Sequence, residues 1–176
     1  FNPYFLLFGV AVMRLPLIAG LAPVLTRKAA TGLAVLCGYT YAVEYAGVTT
    51  GVPYGAFEYG VDLGPMLGGI PVALPLFFLP LVANAYLLSL LVLGEVARRA
   101  TLRVPVVVAA VIGMDLVLDP AAVSVGFWAY DAGGFYYGVP WTNYAGWLLS
   151  AIVSVVVLDY ALDRTSVLRR LESCRF

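Results

Sequence analysis

Residues 104–147, VPVVVAAVIGMDLVLDPAAVSVGFWAYDAGGFYYGVPWTNYAGW, open with an apolar run of membrane-crossing length that has two acids inside it. Asp115 and Asp119 stand four residues apart, and on a helix that spacing puts both carboxylates on one face, one turn apart. Pro120 follows, and then Trp128, Tyr130, Tyr136, Tyr137, Trp141, Tyr144 and Trp147. Two acids among apolar residues, roofed by aromatics, are costly to bury. The rest of the chain reads as their container.

The composition says what kind of container. Of 176 residues 62% are hydrophobic and 11% charged, with a mean hydropathy of +0.95. A soluble domain carries about 25% charged residues. A hydrocarbon core of roughly 30 Å asks for about 20 apolar residues per helix. Five runs qualify, at about 4–24, 30–48, 66–93, 104–128 and 143–162. The expected fold is an all-α polytopic transmembrane helical bundle, forming one transmembrane domain over residues 1–176. Pro71, Pro75 and Pro80 in the third run predict a broken or kinked entry, because each removes a backbone donor.

Basic residues set the orientation. Apart from Arg14, every arginine and the single lysine fall in three places: the turn after the first run, the segment after the third, and the tail after the fifth. The two other loops hold none. By the positive-inside rule, residue 1 is expected outside and residue 176 in the cytoplasm of a cell-membrane protein.

Several chemistries drop out. There is no histidine, which removes His-based haem ligation and most zinc chemistry. Cys37 and Cys174 match no metal or redox spacing, so no metal site is expected. No Gly-rich phosphate motif with a lysine is present, and nothing points to nucleic acid. The one lysine, Lys28, lies in a cytoplasmic turn, which excludes a retinal Schiff base.

Ionisable residues inside a membrane mark function by default, although some only pair with one another. Counting ~1.5 Å per helical residue puts Arg14 and Asp115 at about the same mid-bilayer depth. A structural Arg14–Asp115 ion pair is therefore expected. Glu44 and Asp119 lie nearer the outer surface. Glu58 and Asp62, four apart in the first outer loop, either fold down beside them or simply solvate that loop. Acids crowded in a low-dielectric site cannot all carry charge, and a proton-bearing carboxyl beside an ionised one serves as general acid and base.

Trp and Tyr gather at membrane interfaces whatever a protein does. Here, though, the outer loops hold Tyr54, Phe57, Tyr59, Phe127, Trp128, Tyr130, Phe135, Tyr136, Tyr137 and Trp141, while the inner segments hold almost none. A one-sided lining suits a polyene or a transient carbocation, which ring faces stabilise.

Three stretches, EYAGVTTGVPYGAFEYGVDLGPMLGGIPVALP (44–75), DLVLDPAAVSVGFW (115–128) and GGFYYGVPWTNYAGW (133–147), resemble the integral-membrane carotenoid hydratases of the bacterioruberin type found in halophilic archaea. The likeness runs from Glu44 to Asp163. It implies addition of water to the terminal isopentenyl double bonds of a long acyclic carotenoid, giving tertiary alcohols. The acids at matching positions are Glu44, Glu58, Asp62, Asp115 and Asp119, and the matching polar and aromatic residues are Tyr54, Trp128, Tyr136, Tyr137 and Asn143. Family members continue past the equivalent of Cys174 with an acidic segment and further hydrophobic helices. Further residues are therefore expected beyond those in hand, and Arg175 stands where an acid is expected.

The expected catalysts are Asp119 and Glu44, with Asp115, Glu58 and Asp62 behind them. Tyr54, Phe57, Trp128, Tyr136, Tyr137, Trp141 and Asn143 are expected to bind substrate. The reaction is expected to need no cofactor. Its partners would be the carotenoid, the bilayer and other membrane enzymes of the pathway. A transporter or channel, using the intramembrane Arg, Asp and Glu residues as an ion or proton path, is the competing class. Inverted repeats would favour it, and the chain shows no self-similarity.

Overall fold

The computed structural model describes residues 2–173, so Cys174 and Arg175 lie outside the described residues. Helix α1, Pro3–Leu21, starts where Asn2 Oδ1 accepts from the amides of Tyr4 and Phe5, with proline in the first turn where no donor is missed. A 3-10 turn, Ala22–Val24, leads to α2, Arg27–Thr50. That helix is capped by Thr26 Oγ1 on the Ala29 amide and ends at Gly51, whose φ of +74° is open to glycine without strain. Helix α3 spans Leu74–Leu93 and runs into a 3-10 segment, Gly94–Arg98. Helices α4, Ala100–Ser124, and α5, Trp141–Ala161, follow, and a short α6, Arg164–Ser173, closes the described chain.

This is an all-α polytopic bundle, and among the described residues four stretches are long and apolar enough to cross a membrane: Pro3–Val24, Leu74–Arg98, Ala100–Ser124 and Trp141–Ala161. Helix α2 has the length, 24 residues, but not the composition. Arg27, Lys28, Thr31, Thr40 and Glu44 dilute its apolar content.

Two expectations need correcting. The run at 66–93 is not helical from its start. Met66–Leu67 (β2) pairs antiparallel with Ile70–Pro71 (β3) across Gly68 and Gly69, both with positive φ, and only then does α3 begin. Two consecutive glycines at a two-residue turn are a hairpin signal that overrides the apolar content on either side. The run at 104–128 stops as a helix at Ser124, and Trp128 belongs to a strand instead. After residue 162 the chain continues into α6.

Phe57–Tyr59 (β1) and Trp128–Tyr130 (β4) come from different loops and pair antiparallel, with Phe57 opposite Tyr130 and Tyr59 opposite Trp128. Flanking bonds extend the ribbon, from Gly60 N to Phe127 O at 3.0 Å and from Asp131 N to Ala56 O at 3.0 Å. A side chain at Gly60 would meet Gly126 O at 2.4 Å, so glycine is required for the strands to close. The ribbon ties together the ends of α2 and α4, placing both base-free loops at one end of the bundle.

The core between the helices is apolar and closely packed. Leu36 of α2, Val82, Tyr86 and Leu90 of α3, Val107 and Val111 of α4, and Ala151, Val155 and Leu158 of α5 are all buried. Helices α2 and α5 approach so closely that a side chain at Gly32 would stand 2.3 Å from Ala161 Cβ. Helix α1 lies to one side against α3 and α6, and its Phe5, Phe8, Val12, Leu15 and Ile18 face outward, as a lipid-facing helix does.

Candidate active site

The two aspartates of α4 share a face, as their spacing requires. Asp115 is 1% exposed and Asp119 is 4% exposed. Asn143, in the first turn of α5 and 2% exposed, lies across from them. Its amide nitrogen donates to Asp115 Oδ2 at 3.3 Å and also to Asp119 Oδ2. The amide has two N–H bonds and can serve both carboxyls at once. Burial of these groups is eased because Oδ2 of each carboxyl finds a donor.

The ribbon closes this arrangement from above. Residues alternate along a strand, so Phe57, Tyr59, Trp128 and Tyr130 share the inner face while Glu58 and Ala129 are exposed. Tyr130 donates its hydroxyl to Asp119 Oδ2 at 3.1 Å. Tyr59 donates to Glu44 Oε1, on α2, at 2.7 Å. Phe57 fills the space between these phenols, 5.6 Å from the Tyr59 ring and 5.8 Å from the Tyr130 ring. Burial first, and the neighbouring carboxylates second, push both phenols far above their ordinary value, so each stays an O–H donor. Glu44 and Asp119 lie within electrostatic reach of one another. Three carboxyls from α2 and α4 therefore converge under one aromatic ribbon.

Tyr54 is buried and acts on the scaffold. Its ring lies against Gly47 and Gly146, where added side chains would stand 3.2 Å and 2.4 Å away. Its hydroxyl bonds to Ser150 Oγ at 2.9 Å, and Ser150 bonds on to Tyr39 at 3.0 Å. Burial raises the Tyr54 phenol as well.

Several sequence candidates are not brought to the carboxyls. Glu58 is on the outer face of the ribbon. Asp62 is exposed and spends Oδ1 on the Gly64 amide at 2.8 Å. Tyr137 is 75% exposed and Trp141 67% exposed. Tyr136 is half-buried, with its ring 6.3 Å from that of Tyr144. Trp128 turns inward, and its buried indole N–H has no partner among the described residues.

The expected Arg14–Asp115 ion pair is not formed. Asp115 is bonded to Asn143, while the buried Arg14 Nε has no partner among the described residues. Equal depth was the wrong criterion, because α1 packs on α3 and α6 while Asp115 faces α5. The buried arginine that is paired is Arg103, whose Nε donates to Asp159 Oδ1 at 2.9 Å and whose Nη2 reaches Oδ2. Tyr86 adds a 2.7 Å bond to the same carboxylate, so α3, α4 and α5 are tied at the end opposite the ribbon.

Sequence reasoning also missed Tyr59 and Tyr130 as partners of the acids. The inward–outward alternation of FEY and WAY was the available signal.

No group of three or more metal-ligating side chains gathers among the described residues. The arrangement is one of buried carboxyls with fixed donors, beside aromatic rings.

A helical membrane bundle with buried acids under an aromatic cover defines the class, and the chain belongs to a known one: the family described as "Carotenoid biosynthesis protein" matches residues 1–176. Among curated proteins, the chain is 56% identical over 177 residues to the bisanhydrobacterioruberin hydratase of Haloarcula japonica. That match takes in 100% of this chain and 60% of the relative, so the chain spans well under two thirds of that protein's length. No solved structure matches.

Proposed function

We propose that the protein adds water across the terminal isopentenyl double bonds of a long acyclic carotenoid, making tertiary alcohols, and that its base-free loops face the outside of the cell. The observation that carries this reading is the convergence of Glu44, Asp115 and Asp119 beneath the ribbon, with Asn143, Tyr59 and Tyr130 fixing their oxygens. The hydratase name of the Haloarcula relative supports it.

The chemistry follows from the alkene. A carboxyl gives its proton to the CH carbon of the terminal double bond, leaving a tertiary cation on the dimethyl carbon. A water oxygen bonds to that carbon, and its proton passes to a second carboxylate. Glu44 and Asp119 are the exchanging pair, one delivering and the other receiving, and Asp115 shares the Asn143 amide with Asp119. Phe57 and the neighbouring rings of the ribbon offer π faces to the cation. The cycle returns every proton it uses, so carboxyls and water suffice.

The test is to supply membranes containing the protein with an acyclic carotenoid and to read the products by mass. Gain of one water per reacted end supports the reading. Unchanged pigment alongside proton or ion flux would transfer support to the transport class.

A further inference from the structure

We infer that the Tyr144 hydroxyl holds the reacting water beside the Asp115–Asp119 pair, making Asp119 the group that receives its proton and Glu44 the group that protonates the alkene. This rests on the hydratase reading above and decides the direction that reading leaves open.

Tyr144 follows Asn143 in the first turn of α5. Its ring is held edge-on to Tyr136 at 6.3 Å. Its hydroxyl is buried and has no hydrogen-bond partner among the described residues. Asn143, the residue before it, bonds both Asp115 and Asp119, which places Tyr144 on the turn of α5 that meets the two aspartates, with both carboxyls near enough to act on its phenol. A buried hydroxyl left unpaired is costly, and such groups call for an explanation, an ordered water among them. The contrast with its neighbours is informative. Tyr59 and Tyr130 spend their hydroxyls on Glu44 and Asp119, and Tyr54 spends its own on Ser150. Tyr144 alone of these four phenols keeps its hydroxyl free within reach of the aspartates.

A nucleophilic water must point a lone pair at the cation and dispose of two O–H bonds. The phenol oxygen of Tyr144 accepts one. The other is directed at Asp119, which takes that proton as the C–O bond forms. Glu44 belongs to α2 and is bonded to the ribbon through Tyr59, so it approaches from another element and supplies the alkene proton.

The test compares Tyr144→Phe, Glu44→Gln and the unmodified protein, in membranes supplied with acyclic carotenoid in deuterated water. Phenylalanine keeps the ring against Tyr136 and removes only the hydroxyl. Tyr144→Phe is expected to hydrate roughly 100-fold more slowly, the scale of loss when a reactant is misplaced. The carotenoid should still bind. The cation still forms, however, and collapses by losing a proton from the carbon that was just deuterated. Each time the hydrogen lost is the substrate's own, recovered, unhydrated substrate carries deuterium at the CH carbon of its terminal double bond. Glu44→Gln should neither hydrate nor exchange. Normal hydration by Tyr144→Phe would overturn the inference, as would loss of hydration and exchange together, which is what a merely structural role predicts. Failure of the unmodified protein to hydrate would instead remove the hydratase reading itself, and this inference with it.

Discussion

The hydroxyl of Tyr130, on a strand contributed by one loop, donates to Asp119 on helix α4 at 3.1 Å. The opposite strand repeats the arrangement, Tyr59 reaching Glu44 on α2 at 2.7 Å. The ribbon therefore couples the two acids to one rigid cover, and its integrity and the placement of the carboxyls are one property.

Tyr130→Phe keeps the ring beside Phe57 and deletes the donor. Hydrogen bonds to charged groups contribute about 1.5–3 kcal/mol, so hydration should fall about 10- to 100-fold while helix content stays unchanged. Product formation and circular dichroism, measured on the same preparation, check this. Unaltered turnover would mean the Tyr130 bond does not position Asp119.

Asn143→Leu removes the amide that serves both aspartates and fills a similar volume with methyl groups. Asp119 keeps the Tyr130 donor while Asp115 Oδ2 loses its own, and one buried acceptor left unsatisfied costs about 1–3 kcal/mol, so a loss of that size is expected in denaturant unfolding in detergent. Asn143→Leu combined with Asp115→Leu and Asp119→Leu should recover part of that stability without activity. An Asn143→Leu protein as stable as the parent would contradict the shared-amide account.

How much of this was legible in the sequence depends on range. The common face of Asp115 and Asp119 follows from a four-residue interval on one helix and could be read directly. Asn143 is marked out by family likeness only as a substrate-binding position, and its bridge between the aspartates is not legible, since its partners lie 24 and 28 residues away on another helix. The ribbon escaped because each of its strands has three residues, too few for alternation to stand out from an aromatic loop. Arg14 was misassigned because depth fixes height in the bilayer but not which helices are neighbours. The buried arginine pair is formed instead by Arg103 and Asp159, 56 residues apart in sequence and near the same end of the bundle.

Asp159→Asn would leave Arg103, 2% exposed, as an uncompensated buried charge. Removing one member of a buried pair costs about 3–5 kcal/mol. The unfolding midpoint should drop accordingly. The hydration rate of the protein that remains folded should not change, because this pair lies at the end away from the ribbon. A selective loss of activity at full stability would show that the pair communicates with the carboxyls.

Gly146→Ala places a methyl 2.4 Å from Tyr54 Cδ1, forcing the ring out of its slot. Overpacking of this kind costs about 1–3 kcal/mol. The displaced Tyr54 should also lose its bond to Ser150. A second change, Tyr54→Leu, vacates the slot and should restore part of the stability lost to Gly146→Ala. Additive losses in the double variant would place the clash elsewhere.

The central claim is that buried carboxyls beneath the ribbon carry out hydration, and mass analysis of carotenoids from cells expressing the protein or its Asp119→Asn variant tests it most directly. Asparagine keeps the shape of aspartate and its place beside Asn143 and Tyr130 but neither holds nor accepts the reacting proton. The account predicts tertiary alcohols with the unmodified protein, and with Asp119→Asn a folded protein that still binds pigment and yields only unhydrated carotenoid. Near-normal alcohol formation by Asp119→Asn would contradict it.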